Sequence, residues 1–317
     1  MSRILLTAVG SMAAGPAARR YQALGHTVFG CDIYPREWTA LAGELDFFQA
    51  RLATEGEPYV EQLREAVRRN GLDFLIPLTD PEVDALAPRK AEFRALGCTV
   101  CVPEERVAAL CRRKDKMSRF LAEKQVCRLI PTESAVPGQP CPFPFPVMVK
   151  PRSGRSSLGQ AVAADEKGYQ TALAGREDCI VQPFLEGDIF CVDVARDAFG
   201  HTRAAARQEL LRNKSGLGMT VEVLPGHPLE AVCAAIAEAV GLVGVVNMEF
   251  IRHGDDFFFL EVNPRFSGGV GFSLAAGMDF AEMMLCCHSC GSVEAFPAAP
   301  KHALLAREST IVLTQLR

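Results

Sequence analysis

The chain has 317 residues, a formal net charge of −4, 49% hydrophobic and 23% charged residues. That balance is ordinary for a globular protein with room for two or three domains, and it gives no reason to expect a nucleic-acid or membrane surface. No apolar run reaches bilayer-spanning length and MSRILLTAVG is too short for a secretory signal, so a cytoplasmic location is expected, where the twelve cysteines stay reduced.

In chain order, residues 4–10 (ILLTAVG) read as a strand ending in glycine, 11–25 as a helix, and 26–33 (HTVFGCDI) as a second strand with Asp32 near its end. This opens like a dinucleotide-binding unit. Gly10 and Gly15 stand apart, however, without G-x-G-x-x-G, so the unit reads as structural. Residues 58–71 predict an amphipathic helix, 72–80 (LDFLIPLTD) a strand ending at Thr79 and Asp80, 81–97 a further helix, and 98–103 a closing strand. Asp32, Thr79 and Asp80 would then sit at strand C-termini, where open parallel sheets place ligands. A helical segment over 104–124 carries Arg112, Arg113, Lys114, Asp115 and Lys116, and a proline-rich connector over 131–146 leads into the strand VMVKP. Cys98/Cys101 and Cys287/Cys290 have CxxC spacing but lie in strand-like and helix-like apolar stretches, which favours buried structural cysteines over a zinc site.

The second half carries the chemistry. Lys150 ends a strand and is followed by a glycine-rich loop with Gly154, Ser156, Ser157 and Gly159. Such a loop brings backbone N–H groups close to phosphate oxygens, and the ammonium complements their charge. It is not a Walker A sequence, because no G-K-[ST] opens a helix. In CIVQPFLEGDIFCVDVA a strand runs through Gln182, Phe184 and Leu185 to an acidic turn with Asp188, a segment suited to an adenine edge and ribose hydroxyls. Arg207, Arg212 and Lys214 precede a Ser-Gly-Leu-Gly bend and could face a phosphoryl group. Glu249 interrupts the apolar strand GVVNMEFI, costly unless paired or metal-bound. In FFFLEVNPRFSGG, Glu261 and Asn263 share a strand face, Pro264 ends the strand and Arg265 lies just beyond. Two carboxylates and an amide suit Mg2+, a hard cation that keeps several waters and borrows phosphate oxygens.

The order of these words (KP with a glycine-rich loop, a hinge strand with an acid, N-x-E-F, then E-x-N-P-R) resembles the ATP-grasp superfamily. It looks similar to the synthetase halves of the carbamoyl-phosphate synthase large subunit, as a stand-alone unit. The resemblance implies an α/β protein: a Rossmann-like pre-ATP-grasp domain over 1–105, then a two-lobed ATP-grasp fold with a small lobe over 106–186 and a large lobe over 187–317. It implies ATP and Mg2+ as cofactors, with Mn2+ an admissible substitute, and small-molecule carboxylate and amine substrates; a homodimer is left open. Lys150 would hold the nucleotide phosphates with Lys114 or Lys116 upstream. Gly154, Ser156 and Ser157 would belong to the lid, and Gln182, Phe184, Leu185 and Asp188 would bind adenosine. Glu249, Glu261 and Asn263 would ligate the metal, and Arg265, Lys214 and Arg207 would act on the transferred phosphoryl group. Gln182 stands where many members carry Glu. The implied reaction is carboxylate–amine ligation through an acyl phosphate; the alternative is a non-catalytic ATP-binding module.

Overall fold

In the first hundred residues short apolar runs alternate with helices, and the chain answers with a parallel sheet. A computed structural model describes residues 1–154 and 158–315. Strands β1 (Arg3–Leu6), β2 (Thr27–Asp32), β3 (Asp46–Gln49), β4 (Phe74–Ile76) and β5 (Thr99–Val100) form a five-stranded sheet in the order β3-β2-β1-β4-β5, every pair parallel. Helices α1 (Ala14–Ala23), α2 (Glu57–Asn70), α3 (Asp80–Leu86) and α4 (Lys90–Ala95) connect the strands. Strand order reverses beside β1, so the ends of β1, β2 and β4 open a crevice.

Two expected boundaries move here. The strand expected to reach Asp80 stops at Ile76, because Thr79 caps α3: its N–H and hydroxyl both donate to Glu82 Oε2, at 3.0 and 2.7 Å. The single helix expected over 81–97 breaks into α3 and α4 around Pro88, which has no N–H to give.

Helices α5 (Glu105–Arg112) and α6 (Lys114–Lys124) follow, separated by an extended Arg113. Of the next strands, β6 (Arg128–Leu129) joins a large sheet, whereas β7 (Glu133–Ala135), β8 (Val147–Pro151), β9 (Ala161–Ala163) and β10 (Cys179–Pro183) make a four-stranded sheet in the order β7-β10-β8-β9. The segment 106–186 therefore feeds two sheets. Helix α7 (Glu166–Leu173) packs on the smaller one through Tyr169 and Leu173.

The large sheet has the order β16-β13-β12-β11-β14-β15-β6. Its members are β11 (Asp188–Arg196), β12 (Thr202–Arg212), β13 (Gly218–Val223), β14 (Gly244–His253), β15 (Asp256–Asn263), β16 (Ala303–Ala306) and β6. One face is covered by α5, α6 and α8 (Pro228–Val240) over a core of Phe190, Val192, Met248 and Phe250. Near the crevice, α9 (Val270–Ala275) and α10 (Phe280–His288) pack against α1 through Val270, Phe280 and Met284. Among the described residues no helix is long and apolar enough to cross a membrane. Cys98, Cys101 and Cys287 are buried and unbridged as expected, whereas Cys290, past the end of α10, is free but exposed.

Candidate active site

A cleft of about 980 Å³ runs between the three sheets. Its walls follow from strand alternation. On β11 the side chains of Ile189 and Cys191 face the cleft while Phe190 and Val192 enter the helix-side core. On β14, Asn247, Glu249 and Ile251 line the cleft while Met248 and Phe250 are buried behind. β14 and β15 are antiparallel, with Glu249 opposite Glu261 and Asn247 opposite Asn263. A register shift between Glu249 and Phe250 lets both Leu260 and Glu261 face the cleft and returns Phe259 to the core.

Glu249, Glu261 and Asn263 are thus brought together. Asn263 Nδ2 lies 3.4 Å from Glu249 Oε1 and 3.3 Å from Glu261 Oε1. Withdrawal from solvent raises the Glu249 carboxyl above its ordinary value, and the Glu261 charge adds to it. For Glu261 withdrawal acts in the same sense, but the Lys114 ammonium, backed by Lys150, holds it below the usual range. Lys114 Nζ sits 2.8 Å from Glu261 Oε2 and 3.4 Å from the Gly154 carbonyl. Lys116 is exposed, so Lys114 is the upstream lysine that reaches the cleft. Lys150, on β8, is buried; desolvation and the nearby Lys114 charge lower its ammonium to about 8.

The donor set fits a hard divalent cation. Two carboxylates crowd one another, and an amide oxygen is available from Asn263 by rotation of its side chain. The oxygens now lean on cations, Glu261 on Lys114 and Glu249 on Arg212 at 3.7 Å. No cluster of three or more His, Cys, Asp or Glu side chains that could hold a metal occurs among the described residues; the trio counts two carboxylates and an amide.

Sequence reasoning missed Glu209. It faces the cleft on β12, where its buried Oε2 lies 3.1 Å from Arg212 Nε and its Oε1 lies 3.6 Å from Arg207 Nε. The signal was Arg207 two positions earlier, on the same strand face. Register shifts at Glu209, Leu211 and Arg212 then swing Arg212 to the side Glu209 occupies.

The expected catalytic cations fare differently. Arg265 lines the cleft, gripped from across the fold by Asp80: Nε donates to Oδ1 at 2.9 Å and Nη2 to Oδ2 at 3.2 Å. Arg207 is buried and donates to Asp193 at 2.8 Å and Ser267 at 3.1 Å, so it buttresses the wall beneath Gly269. Lys214 is not brought in: it is exposed on the turn after β12 and is not part of the cleft lining.

Where the small sheet meets the large one, Met148, Ile130, Ile189 and Ile251 form an apolar slot beside Gln182 and Leu185. Gln182 Nε2 donates to Thr132 Oγ1 at 2.7 Å. Phe184 lines the slot, but its N–H already donates to the Pro146 carbonyl at 3.0 Å, which removes it as a donor to a base. Asp188 is a correction. It starts β11 on the face opposite Ile189, pairs with Arg252 on β14, and does not line the cleft. Ser156 and Ser157 lie outside the described residues. Asp32, Thr79 and Asp80 all line the crevice end, as expected.

A parallel-sheet unit, a small antiparallel sheet and a large one closing on a shared acidic and basic cleft make up an ATP-grasp fold, and the comparisons with known proteins point the same way. A family described as "ATP-grasp in the biosynthetic pathway with Ter operon" matches residues 175–310. A formate-dependent phosphoribosylglycinamide formyltransferase from Prochlorococcus marinus (strain MIT 9303) is 26% identical over 235 residues, 65% of this chain and 56% of that protein. The chain therefore spans little more than half the length of that curated relative. Among solved structures, biotin carboxylase from Campylobacter jejuni, as a β,γ-ATP complex, superposes with a TM-score of 0.73 at 17% identity, covering 92% of this chain and 72% of that one. The L-amino acid ligase of Bacillus licheniformis gives 0.71 at 15%, covering 90% and 73%.

Proposed function

We propose that the chain is an ATP- and Mg2+-dependent carboxylate ligase that joins a small carboxylate to an amine through an acyl phosphate. One observation carries this reading: Glu249 and Glu261 meet across β14 and β15, with Asn263 beside them and Lys114 and Lys150 opposite. Holding Mg-ATP alone would use these acids and lysines too, but it would not call for Arg265 beside Asn263, on the side where a transferred phosphoryl group would lie. A carboxylate oxygen of the substrate attacks the γ-phosphorus in line, and ADP leaves. The amine nitrogen then attacks the acyl carbon, inorganic phosphate leaves, and the amine gives up a proton. Throughout, the protein positions groups and neutralises charge rather than forming bonds itself.

Lys150 and Lys114 would meet the nucleotide phosphates, and the slot around Gln182 and Leu185 the adenine. Glu249, Glu261 and Asn263 would hold Mg2+, or Mn2+ in its place, which when bound screens the terminal phosphates. Arg212 and Arg265 would face the transferred group, and Arg207 would brace them. The proposed division assigns 1–105 to the acceptor side, 106–186 to the lid and adenine side, and 187–317 to the metal side; a cytoplasmic homodimer is the proposed form.

The test is ADP release over a panel of small carboxylates and amines with Mg-ATP. Release stimulated by one carboxylate–amine pair, with the coupled product detected by mass, supports the ligase. ATP binding without stimulated release anywhere in the panel would leave the non-catalytic module as the reading.

A further inference from the structure

The crevice end of the cleft differs in kind from the nucleotide end. Met12, Ile33, Tyr34, Trp38 and Leu52, from the loops that follow β1, β2 and β3, all line it and all remain exposed. Trp38 is 68% exposed and Tyr34 52%, their rings 6.1 Å apart and inclined by 30°. Single exposed apolar side chains need no explanation, but a group of them lining one concavity does. Its concave setting, continuous with a ligand cleft, favours a small molecule over a flat protein face.

Charge points the same way. The acids at this end are already satisfied. Asp32 accepts from the Gly10 and Tyr34 N–H groups at 2.7 and 3.1 Å, Asp80 holds Arg265, and Glu82 caps α3. Among the described residues the cations lining the cleft are Lys150, Arg207, Arg212 and Arg265, with Lys114 reaching in at Glu261; all lie beyond β5 in the chain, and none comes from these crevice loops. A phosphorylated substrate would meet no lysine or arginine side chain from them. The curated relative, by contrast, is named for a phosphoribosyl substrate.

The crevice is also joined to the reacting end. Leu217, on the bend after Arg212, packs over Gly268, and Met12 lies just beside that glycine. A molecule resting on the aromatic pair could therefore reach Arg265 and the acid pair.

We propose that this crevice binds the amine-bearing substrate through an apolar, preferentially aromatic side chain such as that of phenylalanine, and that it is not built for a phosphoribosyl amine. The proposal rests on the ligase reading for the word amine but not for the apolar contact. Trp38 is the sole tryptophan of the chain, so its emission reports this crevice directly. The full chain, with Mg2+ and a nonhydrolysable ATP analogue, is titrated with L-phenylalanine, L-lysine and ribose 5-phosphate while tryptophan fluorescence is followed. A saturable change with L-phenylalanine, and at least about tenfold weaker responses to the other two, is expected. Because Trp38→Ala removes the reporter, its L-phenylalanine affinity is measured calorimetrically. A loss of about tenfold is expected, with the affinity for the ATP analogue held and L-phenylalanine binding largely restored in Trp38→Phe. Tighter binding of ribose 5-phosphate than of L-phenylalanine, or no saturable response to L-phenylalanine, overturns the proposal. Binding of L-phenylalanine without ADP release supports the crevice assignment while counting against the ligase reading, so the two failures are told apart.

Discussion

Lys150 is a side chain whose charge the cleft governs directly. Desolvation, with Lys114 nearby, lowers its ammonium to about 8. The ammonium is the charged form, so it is held below that pH and lost as pH rises through it. In the free protein kcat/KM for ATP should therefore fall by about tenfold from about pH 7 to about pH 9, with a limb near 8. Lys150→Arg should erase that limb, since a guanidinium stays charged throughout. A limb that survives in Lys150→Arg would belong to another group. Glu261 makes the complementary case: Glu261→Gln keeps the shape but removes one charge of the acid pair and the partner of Lys114. ADP release should drop by about a hundredfold or more, while binding of ATP without Mg2+ should weaken little or tighten, because the variant frees Lys114. Equal losses with and without Mg2+ would remove Glu261 from the metal set.

Strands decided which residues could be read in advance. Glu249, Glu261 and Asn263 were legible because polar groups stood out against apolar runs, and pairing of β14 with β15 brought them together. Asp188 misled because face assignment flips with a shift of one residue, and β11 begins on the far side of Ile189. Arg212 and Arg265 were both expected at the site, but what places them at the cleft was not readable: the β12 bulges for Arg212 and, for Arg265, a partner far away in sequence, Asp80. Bulges and long-range pairs leave no local periodicity to read. The connection from β10 to β11, where the small sheet gives way to the large one, turns on Gly187. A Cβ there would stand 1.7 Å from the Arg252 carbonyl oxygen and 2.8 Å from its carbon, both backbone atoms that cannot rotate aside. Gly187→Ala should cost about 2 kcal/mol or more of stability in denaturant unfolding. A change within about 0.5 kcal/mol would mean the connection re-routes freely.

At the scale of the whole molecule, the five-stranded sheet and the large sheet share an apolar core through α1, α9 and α10, and an ion pair joins them at the cleft. Asp80 is 1% exposed, opens α3 at the end of the β4 loop, and binds Arg265 in two-point geometry, with Arg112 a further 3.6 Å neighbour. Arg265 in turn follows β15, the strand that carries Glu261 and Asn263. One residue thus ties the crevice to the acid pair. The pair should act as a unit in a double-mutant cycle. Asp80→Ala leaves the guanidinium without its carboxylate and should cost roughly 3 kcal/mol; Arg265→Met leaves a buried acid with only Arg112 nearby. The double variant should lose less than the sum of the single losses, by about 1–3 kcal/mol, because no orphaned charge remains. Activity should separate from stability: the double variant regains folding but not ADP release, since Arg265 faces the site where the phosphoryl group would move. Strictly additive stabilities would show that Asp80 and Arg265 are neighbours without coupling. Recovery of ADP release in the double variant would show instead that Arg265 serves only to hold the two sheets together.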